Sequence, residues 1–296
     1  MRSYAFIFSL ASLIFGLSTP LAAQEEEVII QRVTVTDNIS MLVGNGGNIG
    51  LFTGADGTFL IDDQFAPLTE KILAAVKAAG GDTPRFLMNT HYHFDHTGGN
   101  ENLGNAGSLI IAQDNVRKLM SIETVIKAFN ATIPAQPKNA LPVVTFGQDI
   151  SLHFNGETIH AVHMPNAHTN GDSVIFFENA NVVHAGDILF NGMFPFIDTD
   201  HGGTLKGMID ATAKLLSMID DDTRIIPGHG PLASKTDLKA YHAMLTTAYQ
   251  RLSQLKSQGK SLEAVVAAAP LADLEKSWAS PLFSTADWTG IVYPGI

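Results

Sequence analysis

Six consecutive residues, His91-Tyr92-His93-Phe94-Asp95-His96, constrain this chain more than any other stretch. They hold three of its 11 histidines and one aspartate, a concentration that packing does not explain. On an extended or looping segment alternate side chains point the same way, so His91 and His93 can meet one cation while Asp95 and His96 reach another. A helix does not serve this spacing, because residues two apart face different directions. The chain has no cysteine, so a metal must be held by nitrogen and oxygen, and disulfides and thiol nucleophiles are excluded.

Three further candidates stand where a strand pattern gives way to a loop: His168 after Thr158–His163, Asp187 after Val182–Ala185 and His229 after Arg224–Ile226. Each alone reads as turn chemistry, but their recurrence at strand ends points to a convergent site. The patterning around them predicts an early meander (Ile29–Thr36, Ile39–Val43, Ile49–Thr53, Thr58–Asp62) and a helix from Pro67 to Gly80. Short strands follow at Phe86–Met88 and Leu109–Ala112, then a helix over Asp114–Ala128 and a Pro-rich lid or loop through Pro134, Pro137 and Pro142. Strands at Ile150–Phe154 and Ser173–Phe177 and helices at Thr204–Ile219, Thr236–Leu255 and Ser261–Ala268 complete the pattern, with Thr204 as a cap. No repeat or low-complexity linker interrupts it, which predicts one domain of two sheets covered by helices.

The first residues read as a secretory signal peptide, residues 1–23: Arg2, an apolar run from Tyr4 to Leu17, small residues up to Ala23 and an acidic start at Glu25. The run is too short to span a bilayer of about 30 Å comfortably. The expectation is an exported, periplasmic or secreted protein of residues 24–296 with no stable membrane anchor. With 29 acidic against 18 basic residues and no Lys/Arg cluster, the chain lacks the footprint of a nucleic-acid binder, and the partner expected is a small-molecule substrate.

On these residues the chain resembles the metallo-β-lactamase superfamily, including its glyoxalase II-like and lactonase-like branches, from Asp62-Asp63 through His229. The resemblance implies an α/β fold, a four-layer αββα sandwich, and two zinc ions (Zn2+) per chain. Carried over residue by residue, it implies that His91, His93 and His168 hold the first zinc and Asp95, His96 and His229 the second, with Asp187 bridging both. Asp187 stands where the antibiotic-destroying branches have Cys or Ser. That difference shifts the expectation toward esterase, thioesterase and lactonase-like hydrolases.

Two zinc ions about 3.5 to 4 Å apart can share a water, lower its pKa and present hydroxide to an ester, thioester, lactone or cyclic amide carbonyl. Asp95 is the candidate for orienting that hydroxide and relaying its proton. Asp62 and Asp172 are candidates to accept the outer ring N–H of a ligating histidine. Phe190, Met193, Phe194 and Phe196, just after Asp187, are candidates for an apolar pocket wall, with His201 and the Gly44–Asn48 loop as further substrate contacts. His153, His160, His163, His184 and His242 read as structural. Two other readings compete: a mononuclear iron dioxygenase on the same fold, since fold does not fix chemistry, and a non-enzymatic periplasmic binding protein stabilised by zinc. Seven candidate donors arranged for two open ions favour the hydrolase, because structural zinc is closed by four protein ligands.

Overall fold

The computed structural model describes residues 27–296, so the predicted export segment, residues 1–23, lies outside the described residues. Strands β1 (Gln31–Thr34), β2 (Ile39–Val43), β3 (Ile49–Gly54) and β4 (Gly57–Ile61) form the predicted antiparallel meander. Helix α1 (Thr69–Ala78) crosses to β5 (Phe86–Met88), which joins β4 in parallel. The single helical turn α2 (Phe94–Thr97) and α3 (Asn100–Asn105) lead to β6 (Leu109–Gln113), parallel to β5.

Helix α4 ends at Met120, having begun at Asp114, and does not reach Ala128 as its local pattern suggests. The β-branched run Thr124-Val125-Ile126 favours a pleated partner over a helix, and as β7 it pairs with β8 (Ala131–Ile133) in a separate hairpin. The Pro-rich connection returns through one short 3-10 turn to β9 (Val144–Phe146), which closes the edge of the first sheet beside β6.

The second sheet runs in the order β10 (Asp149–Phe154), β11 (Glu157–His163), β12 (Ser173–Phe177), β13 (Val182–Phe190), β14 (Arg224–His229) and β15 (Ala233–Ser234). Between β13 and β14 lies α5 (Leu205–Met218), capped as predicted by the Thr204 hydroxyl, which accepts from the Gly207 N–H. That crossover makes β13 and β14 parallel. After β15 come α6 (Lys235–Ser257), α7 (Leu262–Ala268) and two short helices that the sequence reading missed, α8 (Ala272–Trp278) and α9 (Thr285–Val292). Among the described residues no helix is long and apolar enough to cross a membrane.

Alternation along each strand sorts the core into three apolar interfaces, and these define four layers. Leu51, Leu60 and Leu87 of the first sheet pack outward on Ile72 and Val76 of α1 and Leu103 of α3. Their neighbours Phe52, Phe59, Ile61 and Met88 point the other way and meet Ile159, Phe177 and Ile226 of the second sheet, with the Phe52 and Phe177 rings 5.3 Å apart edge to face. The opposite face of the second sheet, through Val183, Leu189 and Ile225, is covered by Met208 and Leu215 of α5 and Tyr241 and Leu245 of α6. The order is helix, sheet, sheet, helix. Central strands β12 and β13 are buried along their whole length, as strands covered on both faces must be.

Candidate metal centre

Parallel pairing places the site. β4 and β5 lie in register with Ile61 opposite Met88, so the chain leaves both strands at the same sheet end, delivering Asp62 beside Thr90 and the histidine segment. His91 and His93 lie in the loop as expected. Asp95 and His96, however, sit on the helical turn α2. A one-turn helix still suits them, because it leaves Asp95 Oδ2 3.6 Å from His96 Nε2, with the His96 ring beside that of His91 (centroids 4.2 Å apart).

From the second sheet come His168, in the loop between β11 and β12, and Asp187 and His229, which lie within β13 and β14. Asp187 was expected after a strand ending at Ala185. The strand instead continues to Phe190, and a register irregularity at Gly186 re-aims it. Gly186 has φ +49°, and a Cβ there would stand 2.7 Å from the Thr90 Cβ, so both the bend and the close approach of the two sheets require glycine. Gly228 is as constrained, since its Cβ would fall 1.9 Å from Asp187 Oδ1.

The seven candidate donors converge in two groups, His91, His93, His168 and Asp187 in one and Asp95, His96 and His229 in the other. In the first, His93 Nδ1 is 3.1 Å from His91 Nε2 and 2.8 Å from His168 Nε2, and Asp187 Oδ2 is 3.7 and 3.3 Å from those two Nε2 atoms. In the second, His96 Nε2 and His229 Nε2 are 3.4 Å apart, and Asp95 Oδ2 is 3.6 and 3.4 Å from them. Asp187 also reaches this group, with Oδ1 3.2 Å from His96 Nε2 and Oδ2 3.5 Å from His229 Nε2. It therefore stands between both. Tetrahedral ligands about 2.0–2.1 Å from a zinc-sized ion are separated by about 3.3 Å, so these spacings suit metal ligation.

Hydrogen bonds on the far sides of the rings fix which nitrogen faces the centre. Thr90 has one hydroxyl proton, which goes to Asp62 Oδ2 (2.7 Å), so its oxygen accepts from His91 Nδ1 (3.0 Å) and leaves the His91 Nε2 lone pair inward. His96 Nδ1 donates to Asp62 Oδ2 (2.8 Å), and His168 Nδ1 to the Phe196 carbonyl (2.9 Å). His93 is turned the other way: its Nε2 donates to Asp198 Oδ2 (3.0 Å), which leaves Nδ1 inward. Four inward lone pairs facing one another, and a buried Asp187 Oδ1 without a hydrogen-bond partner, call for cations.

The charges agree. Burial alone would raise Asp187, but the surrounding imidazoles, His96 and His229 foremost, hold it well below the usual carboxylate range. Burial opposes Asp95 in the same way, and His96 and His229 bring it to about 2. His229, which burial would lower, is pushed up to about 9 by Asp187 and Asp95. The two carboxylates thus demand positive charge, which protons on His96 and His229 supply until metal ions displace them.

Of the two carboxylates expected to brace the ligands, Asp62 is in contact with His96 and, through Thr90, with His91. Asp172 is not placed that way. It accepts the Thr169 N–H (2.7 Å) and hydroxyl (2.6 Å), bracing the loop that carries His168, while the ring itself bonds to a carbonyl. Asp198 was missed altogether. It gathers His93, the Tyr92 hydroxyl and His201 Nδ1 (2.8 Å), so His201 buttresses His93 through Asp198 and does not line the cavity.

A cavity of about 790 Å³ opens onto the centre beside His93, Asp95, Asp187 and His229. Phe190, Met193, Phe196 and the Gly44–Asn48 loop line it. Phe194 does not: it is buried against Trp288, ring centroids 4.7 Å apart, where its N–H donates to the Trp278 carbonyl. Its side chain joins the apolar layer beneath the helices instead.

The model of the Metallo-beta-lactamase superfamily matches residues 42–229, more than half of the chain. A probable hydroxyacylglutathione hydrolase of Schizosaccharomyces pombe is 27% identical over 201 residues, covering 64% of this chain and 67% of the relative. Among solved structures, a metallo-beta-lactamase from Pontibacter korlensis superposes with a TM-score of 0.61 at 17% identity, covering 73% of this chain and 99% of that one. TTHA1623 in a di-iron-bound form superposes with a TM-score of 0.52 at 28% identity, covering 66% and 92%. The fold is the αββα sandwich of these proteins, the His/Asp cluster is laid out as a dimetal site, and the chain belongs to the metallo-beta-lactamase superfamily.

Proposed function

We propose that the protein is a two-zinc hydrolase that cleaves an ester, thioester, lactone or cyclic amide bond of a small molecule. The observation that carries this reading is the position of Asp187 between two donor groups that share one open side, facing a cavity. A closed structural site would have no such face. When bound, two divalent cations supply Lewis acidity and a water activated for attack on a carbonyl.

The chain's own residues do the rest. His91, His93 and His168 are buried, whereas Asp95 and His229 keep 24% of their side chains exposed, on the side from which a substrate arrives. Asp95 is ionised at neutral pH, so it can orient a water through one oxygen and pass its proton to the leaving atom. Phe190 stacks on His229 with centroids 4.8 Å apart, and Phe196 lies beside His93 and His168, so both shield the centre from bulk water.

The test is a hydrolysis panel of those four bond classes with the zinc-loaded protein and its Asp95→Asn variant. Turnover of at least one class, reduced 100-fold or more in a variant with an unchanged circular dichroism spectrum and melting temperature, is expected. One iron per chain with oxygen consumption and no hydrolysis would replace this reading by the oxygenase one, and full hydrolysis by the variant would remove the role given to Asp95.

A further inference from the structure

We infer that the substrate is a neutral ester, lactone or thioester carrying an extended apolar group, and that the cavity discriminates against chains ending in an anion. The inference rests on the hydrolase reading above and follows from the walls of the cavity beyond the metal donors. Four separate parts of the chain build those walls, and each contributes apolar side chains: Val33 and Met41 from β1 and β2, Ile126 and Phe129 at the β7 end of the hairpin, Leu232 after β14, and Leu282 before α9. Phe129 ties two of them to the centre, its ring 4.8 Å from Phe196 and 5.3 Å from Phe283.

Polar groups on these walls are few. Outside the metal donors the polar side chains on the walls are Asn45 and Asn48, and Asn48 Nδ2 already donates to the Pro227 and Gly230 carbonyls (2.9 Å each). Among the described residues no Lys or Arg lines the cavity. Lys127, whose neighbour Ile126 faces inward, is instead engaged by Asp200 on the outside. An anionic tail would therefore lose its hydration without gaining a partner. An apolar tail gains on both sides, because Phe94, Phe129 and Leu282 at the rim are 41%, 42% and 47% exposed and would be covered by it.

In the reaction the oxygen of water bonds to the acyl carbon, the acyl carbon to oxygen or sulfur bond breaks, and the water proton leaves on the departing alcohol or thiol. The apolar group takes no part in this step. It sets the residence and register of the carbonyl over the centre.

The experiment compares kcat/KM of the zinc-loaded protein for p-nitrophenyl acetate, butyrate and octanoate and for mono-p-nitrophenyl suberate, which matches the octanoate in length but ends in a carboxylate. Burying a methylene is worth up to about 4-fold, so a rise of at least 10-fold from acetate to octanoate is expected, with the suberate at least 10-fold below the octanoate. Phe129→Lys, at a partly exposed position, should narrow the octanoate-to-suberate ratio about 10-fold. Equal rates along the series, or a preference for the suberate, would overturn the inference and leave the hydrolase reading standing. If no ester is cleaved, the hydrolase reading is decided by the panel of four bond classes, and the inference separately by displacement of neutral N-phenyl-1-naphthylamine from the cavity: stronger displacement by octanamide than by suberic acid monoamide upholds it, and equal or reversed displacement overturns it.

Discussion

Asp62 shows how much one side chain can fix. It sits at φ +61°, a conformation that costs most residues about 1 kcal/mol or more and that Asp and Asn tolerate best. From there its two oxygens take the Thr90 N–H (2.8 Å), the Thr90 hydroxyl and His96 Nδ1, so it orients a donor from each metal group. Asp62→Asn keeps the backbone preference while removing the charge and one acceptor. It should fold normally and bind zinc about 10- to 100-fold more weakly in a chelator competition. Unchanged affinity would show that neither ring depends on Asp62. The donors themselves were legible in the sequence, because His and Asp at short spacing or at strand ends announce their chemistry. Asp198 was not: its partner His93 lies 105 residues away, and an aspartate in a loop carries no local mark of the contact. Asp172 was misread for the converse reason, since nearness to His168 in sequence says nothing of which group its oxygens meet.

At the scale of elements, long amphipathic stretches such as α5 and α6 were readable because burial recurs along one face, and the meander because Gly and Asn mark its turns. Hairpin β7–β8 was not, since the helical pattern of α4 runs into it and only pairing with Ala131–Ile133 separates them. Strand β13 carries a second titratable group beside Asp187. His184 is buried, donates from Nε2 to the Asn48 carbonyl (3.0 Å) and accepts the Gly186 N–H (3.2 Å), and burial lowers its pKa to about 4. Above pH 6.5 His184 is neutral whether the chain is folded or not, and its contribution is complete. Below that the unfolded chain binds a proton that the folded one refuses, so stability is lost progressively down to about pH 4, by about 3 kcal/mol. The melting temperature should fall between pH 6.5 and 4.5, and fall less in His184→Gln; equal slopes would contradict this.

For the molecule as a whole, the centre is a joint between two sheets. Asp62 and the His91–His96 segment follow strands of the first, while His168, Asp187 and His229 belong to the second, and Asp187 makes the crossing contacts to His91 and His96. Two sheets covered by helices were legible from the pattern, but layer order arises from long-range contacts that periodicity does not encode, so the αββα order became legible only through the resemblance carried by the metal-binding residues. Metal ions at this joint would bind the folded state alone and stabilise it by mass action, and their number follows from the position of Asp187. The most direct test is the metal content per chain, by mass spectrometry, of protein loaded with zinc and freed of excess, together with Asp187→Ala. Two ions per chain, falling to one or none in the variant, is the result predicted here; a single ion per chain, or two that persist without Asp187, would contradict a two-metal centre built around that residue.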